Sequence, residues 1–130
     1  MVRYADNRHI TILPEIDMPG HLNAALSAYP ELDCPVPREV EKNARQPRPL
    51  EVCVGNEKTY VFAEEVLSQV AALFPGSYIH IGGDECPKGR WERCPLCHAK
   101  MKKENLPDGK ALQSFFIKRM EVFLQSKGKK

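Results

Sequence analysis

The 130 residues carry a formal net charge of +2, with 42% hydrophobic and 28% charged side chains, a balance ordinary for a globular protein of at most one domain. So small a positive excess argues against a nucleic-acid or anionic-membrane partner, and no apolar run approaches the roughly 18 residues a bilayer span needs. The opening Met1-Val2-Arg3-Tyr4-Ala5-Asp6 lacks the apolar core of a signal peptide, so export of a parent protein would require a signal outside this chain.

His9-Ile10-Thr11-Ile12-Leu13 favours β structure and Pro14 stops it, which predicts a buried strand from about residue 9 to 14. Glu15-Ile16-Asp17-Met18-Pro19-Gly20-His21 follows, and then a short Ala-rich stretch from Leu22 to Tyr29 with room for about two helical turns. Residues 30–56 hold Pro30, Pro35, Pro37, Pro47 and Pro49 and almost no periodicity. Compact domains rarely carry so long an irregular excursion without a functional or capping reason. From Glu57 to Phe74 the apolar residues Tyr60, Val61, Ala63, Val66, Leu67, Val70, Ala71 and Phe74 recur at helical spacing.

Pro75-Gly76 ends that helix, and residues 78–82 read as a second buried strand. Gly82 and Gly83 open space where it stops, so that another backbone or a ligand can come close. Asp84 and Glu85 follow at once, where burial of two carboxylates costs desolvation free energy unless they have chemistry to perform. Two further helices are expected, from roughly Arg90 to Glu104 and from about Lys110 to Gln125. The second presents Leu112, Phe115, Phe116, Met120, Phe123 and Leu124 on one face, and Gly128 suits its stop.

Strand, loop, helix, strand, loop and helices in that order form the βαβ pattern of a parallel sheet, an α/β fold. Ligands of parallel folds bind at the carboxyl ends of strands, so Glu15 and Asp17 should converge with Asp84 and Glu85 on one site. Two strands cannot close a barrel. Missing barrel segments or self-association are therefore expected to cover the exposed apolar faces.

The five cysteines, Cys34, Cys53, Cys86, Cys94 and Cys97, are many for a cytosolic protein of this size, and their odd number defeats a simple disulfide framework. Cys94-Pro95-Leu96-Cys97-His98 looks like half of a zinc knuckle. A structural zinc site takes four ligands and no second CxxC exists, so no metal is assigned; Cys86 and His98 are the residues such a module would recruit. No cofactor is called for.

Two separated motifs resemble glycoside hydrolase family 20, the β-N-acetylhexosaminidases. The first is Pro14-Glu15-Ile16-Asp17-Met18-Pro19-Gly20-His21 with Tyr29-Pro30-Glu31-Leu32, and the second is His80-Ile81-Gly82-Gly83-Asp84-Glu85 with Trp91 beyond it. Gly55-Asn56-Glu57-Lys58-Thr59-Tyr60 between them is also similar, and the Cys94–Cys97 segment and the helix at Leu112-Gln113-Ser114 look most like bacterial members. The resemblance implies a partial (β/α)8 barrel, about two β/α units carrying the third and fourth strands, as a fragment of the catalytic domain spanning residues 1–130. It implies a parent located in the periplasm or secreted. It also implies that an arginine gripping the sugar, an acid supporting the general acid, and aromatic residues enclosing the acetamido group lie outside these residues.

The chemistry implied is hydrolysis of terminal non-reducing β-linked N-acetylhexosamine by a substrate-assisted retaining route, one of the exceptions to the two-carboxylate scheme. By resemblance Glu85 is the general acid and then the base, Asp84 orients the acetamido group, His21 tunes Glu85, and Asp17 supports Asp84. Asp17 or His21 could instead cap the Leu22–Tyr29 helix. Trp91 could edge the sugar or pack its own loop, and His80 is expected to point inward between the strands. Cys34 and Cys53 are the expected disulfide pair if the parent is exported. Partners would be N-acetylglucosamine- or N-acetylgalactosamine-terminated oligosaccharides or glycoconjugates. A non-catalytic sugar-binding remnant and a small zinc-binding module are the alternatives.

Overall fold

Asn56 and Asp108 start the two principal helices. Asn56 Oδ1 accepts from the Lys58 N–H at 3.1 Å and Asp108 Oδ1 from the Ala111 N–H at 2.8 Å. Each bond satisfies a donor that the first turn leaves without a helical partner. The structure, a computed structural model, describes residues 1–36 and 51–130. Their helices are α1 (Val2–Asp6), α2 (Asn23–Ala28), α3 (Glu57–Leu73), α4 (Pro95–Lys103) and α5 (Gly109–Ser126), with 3-10 turns at Pro30–Leu32 and Trp91–Arg93. α3 and α5 match the periodic segments closely, and Gly128 adopts the left-handed conformation (φ 73°) that ends α5. The predicted 90–104 helix is divided at Cys94, where extended backbone precedes Pro95 at the first helical position. Pro37, Pro47 and Pro49 of the proline-rich excursion lie outside the described residues.

Of the two expected parallel strands, the structure holds a short parallel pairing. Among the described residues no continuous strand forms; one parallel bridge joins Glu15 to His80. The Ile16 N–H donates to His80 O at 2.9 Å, Met18 N–H to Ile81 O at 3.0 Å, and His80 N–H to Pro14 O at 2.9 Å. The pairing therefore occupies the motif itself rather than the apolar run before it. Ile10 and Leu13 stay 57% and 55% exposed, although Gly76 approaches Thr11 and Ile12 and the Ile10 N–H donates to Ala5 O. The Ile79 N–H donates to Lys130 O and the Lys130 N–H to Ser77 O, so a third stretch of backbone lies beside the second.

The core lies between α3, α4, α5 and the turn at Trp91. Leu112, Phe116, Met120 and Leu124 form the buried stripe of α5, and Tyr60 meets Phe116 with ring centroids 5.4 Å apart. Phe115 and Phe123 are half-buried against it, and Val61, counted on the apolar face of α3, faces out. Segment 52–54 is fully buried, and its three carbonyls are each taken by a side chain. Trp91 Nε1 donates to Val52 O, Thr59 Oγ1 to Cys53 O and the Tyr60 hydroxyl to Val54 O, at 2.7–2.9 Å. Buried irregular backbone needs such partners, and these make residues 52–54 part of the core.

Candidate active site

The site grows from the paired motifs. Asp17 sits beyond the bridge and accepts the Gly83 N–H on Oδ1 at 3.0 Å, fastening the first motif to the turn that carries the acids. Gly82 makes this approach possible. Its φ is +65°, and a Cβ there would stand 1.9 Å from Asp17 Oδ1. From the opposite side Gln113 of α5 donates its amide N–H to the Gly83 carbonyl. Gly83 is thus held by a side chain at both its N–H and its carbonyl, and the Gly82 N–H donates to His80 Nδ1 at 3.2 Å. Met18 and Pro19, joined by a cis peptide bond, are buried beneath it, and Val52 N–H donates to Pro19 O at 3.0 Å.

His21 Nε2 lies 3.5 Å from Glu85 Oε2 and 3.7 Å from Asp17 Oδ2. Both separations exceed a normal hydrogen bond, and one ring N–H cannot serve two carboxylates at once. The imidazole therefore stands between two acids, poised for either. The side chains of His21 and Glu85 are 42% and 79% exposed, so water screens the group. His21 and Glu85 both adopt the left-handed conformation, at φ 54° and 45°, as do His9 and Asn105 elsewhere. For non-glycine residues that conformation costs about 1–2 kcal/mol, and such strain gathers at functional sites.

The structure brings His21, Asp17 and Glu85 together at one rim. Asp84 also stands there, exposed, and Asp17 meets its loop through the Gly83 N–H rather than through the carboxylate. The expected burial of the acid pair is corrected: both are solvent-facing, since no described element packs over them. α2 begins at Leu22 without a side-chain cap, which removes the capping roles considered for Asp17 and His21. His80 is not interior; its ring is 53% exposed, with Nδ1 3.2 Å from Glu15 Oε1. The reason lies in the pairing, which uses the His80 backbone on one side only and leaves the ring toward Glu15. Trp91, a candidate for edging the sugar, is fully buried and packs its own loop. Gln113 escaped the sequence reading. Its signal was present, a polar residue next to the apolar stripe of α5, but its target depends on tertiary folding.

A second grouping lies apart from the acids. Cys34, Cys53, Cys94 and Cys97 are buried, and their sulfurs all fall within 4.8 Å of one another. The expected Cys34–Cys53 disulfide is not formed, and all five cysteines are free thiols, because the two approach a shared cluster rather than each other alone. Hydrogen bonding with Cys34, then with Cys97 and, against the cost of burial, with Cys94 lowers the Cys53 pKa, while hydrogen bonding with Cys53 and Cys97, together with burial, pushes Cys34 up. Cys86, the ligand expected of a zinc module, is absent from this group; its thiol faces Pro87 O, and burial pushes it up to about 12. His98 is excluded as well, since its Nε2 lies 2.6 Å from Glu92 O.

The family model described as glycosyl hydrolase family 20, catalytic domain, matches residues 1–130. A β-hexosaminidase of Porphyromonas gingivalis is 49% identical over 131 residues, covering 100% of this chain and 17% of its own length. The crystal structure of a β-N-acetylhexosaminidase from Bacteroides fragilis superposes with a TM-score of 0.85 at 45% identity, over 99% of this chain and 25% of that one. An exo-β-N-acetylglucosaminidase of Vibrio harveyi, solved in complex with N-acetylglucosamine, gives 0.83 at 38% identity, over 98% of this chain and 20% of that one. The chain thus spans a quarter or less of the length of these relatives, and its fold is α/β like theirs. With the family model matched along every residue, and the two motifs meeting where His21 approaches Glu85, this chain belongs to glycosyl hydrolase family 20.

Proposed function

We propose that this chain carries the acid-bearing part of the catalytic centre of a β-N-acetylhexosaminidase. The parent enzyme removes terminal non-reducing β-linked N-acetylhexosamine from oligosaccharides or glycoconjugates. One observation carries the reading: His21 lies 3.5 Å from Glu85 across the parallel pairing of two family motifs. The N-acetylglucosamine bound by the Vibrio harveyi relative supports the sugar class. In this reading residues 1–130 are a fragment of a (β/α)8 barrel, with the third strand at the Glu15 motif and the fourth at the His80 motif. The remaining barrel segments, or a second copy, cover exposed Ile10, Leu13 and Tyr78.

Glu85 gives its proton to the glycosidic oxygen as the bond from that oxygen to C1 breaks. The carbonyl oxygen of the substrate's own acetamido group attacks C1 and closes an oxazolinium ring, so no enzyme nucleophile is needed. Asp84, at the next position along the turn and pointing elsewhere, accepts the acetamido N–H and stabilises the positive charge on that nitrogen. Glu85 then takes a proton from the water that reopens the ring at C1, and the β configuration is retained. His21 is a positioning residue, holding Glu85 from behind. Asp17 fixes the turn through the Gly83 N–H. Substrate and the missing segments would exclude water from the exposed rim, strengthening each of these interactions.

The test is kinetic, on the parent enzyme with an aryl β-N-acetylglucosaminide. Glu85→Gln should lower kcat by about 10²–10⁴-fold, the usual worth of general acid–base catalysis. An unchanged rate would remove Glu85 from the mechanism, and tight binding of an N-acetylglucosamine thiazoline by a parent that does not hydrolyse would favour the sugar-binding remnant. The isolated 130-residue chain should turn over little or no substrate, and robust turnover by it would refute the view that much of the pocket lies elsewhere.

A further inference from the structure

We infer that Cys34, Cys53, Cys94 and Cys97 form a structural tetrathiolate site for a zinc ion, separate from the acid rim and independent of the glycosidase reading. The sulfur–sulfur separations suit a tetrahedral site: Cys53 to Cys94 3.7 Å, Cys53 to Cys97 3.8 Å, and Cys34 to Cys97 4.0 Å. A tetrahedral zinc with Zn–S bonds of about 2.3 Å places its sulfurs about 3.8 Å apart. A disulfide requires about 2.05 Å, and one pair bonded that way would pull the other two out of register. All four residues are 4% exposed or less, which leaves no position for a water ligand and marks a closed, structural site rather than a catalytic one. Zinc suits the donor set, since an all-thiolate tetrahedron selects it over the oxygen-seeking divalent ions.

The surroundings are built to hold this geometry. Cys94 and Cys97 come from the turn that opens α4, with Pro95 setting its first residue. Cys53 is delivered by the buried segment whose carbonyls Trp91, Thr59 and Tyr60 take. Gly55 allows that segment to lie on the Cys94–Cys97 turn, since a Cβ there would stand 2.3 Å from Cys97 N and from the Leu96 carbonyl carbon. The Gly55 N–H also faces the Cys53 sulfur, the kind of donor that orients a metal-bound thiolate. Arg90 donates to Cys34 O at 3.2 Å and pairs with Asp33 at 2.6 Å, bringing a cation to a site whose four thiolates outweigh the metal by two charges. On binding, each thiol gives up its proton to the buffer as its sulfur bonds the metal. The ion would tie the loop that follows Glu85 to the excursion that precedes α3.

The measurement is elemental analysis of the protein purified without chelator or added metal, followed by cobalt substitution. About one zinc per chain is expected, and the cobalt form should show the intense visible bands of a tetrahedral thiolate complex. Cys53→Ser and Cys97→Ser should each lower zinc content at least several-fold, whereas Cys86→Ser should leave it unchanged. Should those variants fail to fold, thiol counting on the unaltered chain decides: four thiols should react with a thiol reagent only after a strong chelator is added. Zinc near zero with all thiols reactive would overturn the inference. So would a mass short of four hydrogens, which marks two disulfides, or an iron content that replaces zinc.

Discussion

The thiol cluster and the acid rim are opposite solutions to the placement of reactive side chains. The four clustered cysteines are themselves buried, and backbone contacts as close as those at Gly55 hold the segments that carry them. Around Glu85 the side chains are solvent-facing and their separations exceed hydrogen-bond distance. The comparison teaches that the chain spends its packing on anchoring the loops and leaves the chemistry open at their ends. A rim whose cover comes from elsewhere needs its backbone fixed before its side chains are engaged. Segment 52–54 links the two regions, with Val52 N–H on Pro19 O at one end and Cys53 in the cluster at the other.

If that division is real, substitutions on the cluster side should lower stability strongly, and replacement of the exposed acid side chains at the rim hardly at all. The largest effect is expected at Trp91, where Trp91→Ala empties a fully buried site and leaves the Val52 carbonyl without its donor. Denaturant unfolding should register a loss of about 3–5 kcal/mol. Gly55→Ala should follow at about 3 kcal/mol, since its Cβ meets main-chain atoms that cannot turn aside. A wild-type melting curve for it would show that the 52–54 segment is not the anchor described here.

Gly82→Ala sharpens the comparison from the rim side. Its left-handed backbone and the closeness of Asp17 should cost about 2 kcal/mol. It should also lower the activity of the parent enzyme, and full activity would separate the Asp17–Gly83 contact from the site.

Glu57 tests a partly exposed ion pair on the helical face. Lys100, then Arg119, hold its carboxyl below the usual range, with Arg119 Nη1 at 2.8 Å and Lys100 itself buried. A depressed folded pKa contributes stability above the unfolded value of about 4.3, and that contribution disappears as pH falls through the folded value. Because Glu57 is 59% exposed, solvent screening holds the effect of Glu57→Gln to about 1 kcal/mol or less at neutral pH. The gap between its melting temperature and that of the wild type should close on acidification below about pH 4. A gap that widens there would reverse the sign. Smallest of all, Glu85→Gln should change stability by no more than about 0.5 kcal/mol.

The helices at 57–73 and 109–126 were legible because each buries a stripe set by local periodicity, while the caps at Asn56 and Asp108 emerged only in the structure. The meeting of the two motifs was legible from the motif residues themselves, and the structure brings His21 to Glu85 across them. The strand at 9–14 was not, because burial of a β run depends on neighbours that periodicity cannot supply, and Ile10 and Leu13 remain more than half exposed. The short helix α1 carries no cap and too few residues for a periodic signal. The cysteine tetrad was hidden for a different reason. Cys34 and Cys53 form no CxxC, and only the fold of segment 52–54 brings them to Cys94 and Cys97. Trp91 illustrates the limit most plainly, since an aromatic residue near a sugar motif and an aromatic core residue read alike until burial is known.

The most direct test of the central claim is a crystal structure of the parent enzyme holding an uncleaved N-acetylglucosaminide. The account predicts the glycosidic oxygen within about 2.6–3.2 Å of the Glu85 carboxyl, the acetamido nitrogen on Asp84, and His21 on the far side of Glu85. A sugar bound at another rim, or one whose scissile oxygen lies out of reach of Glu85, would contradict it.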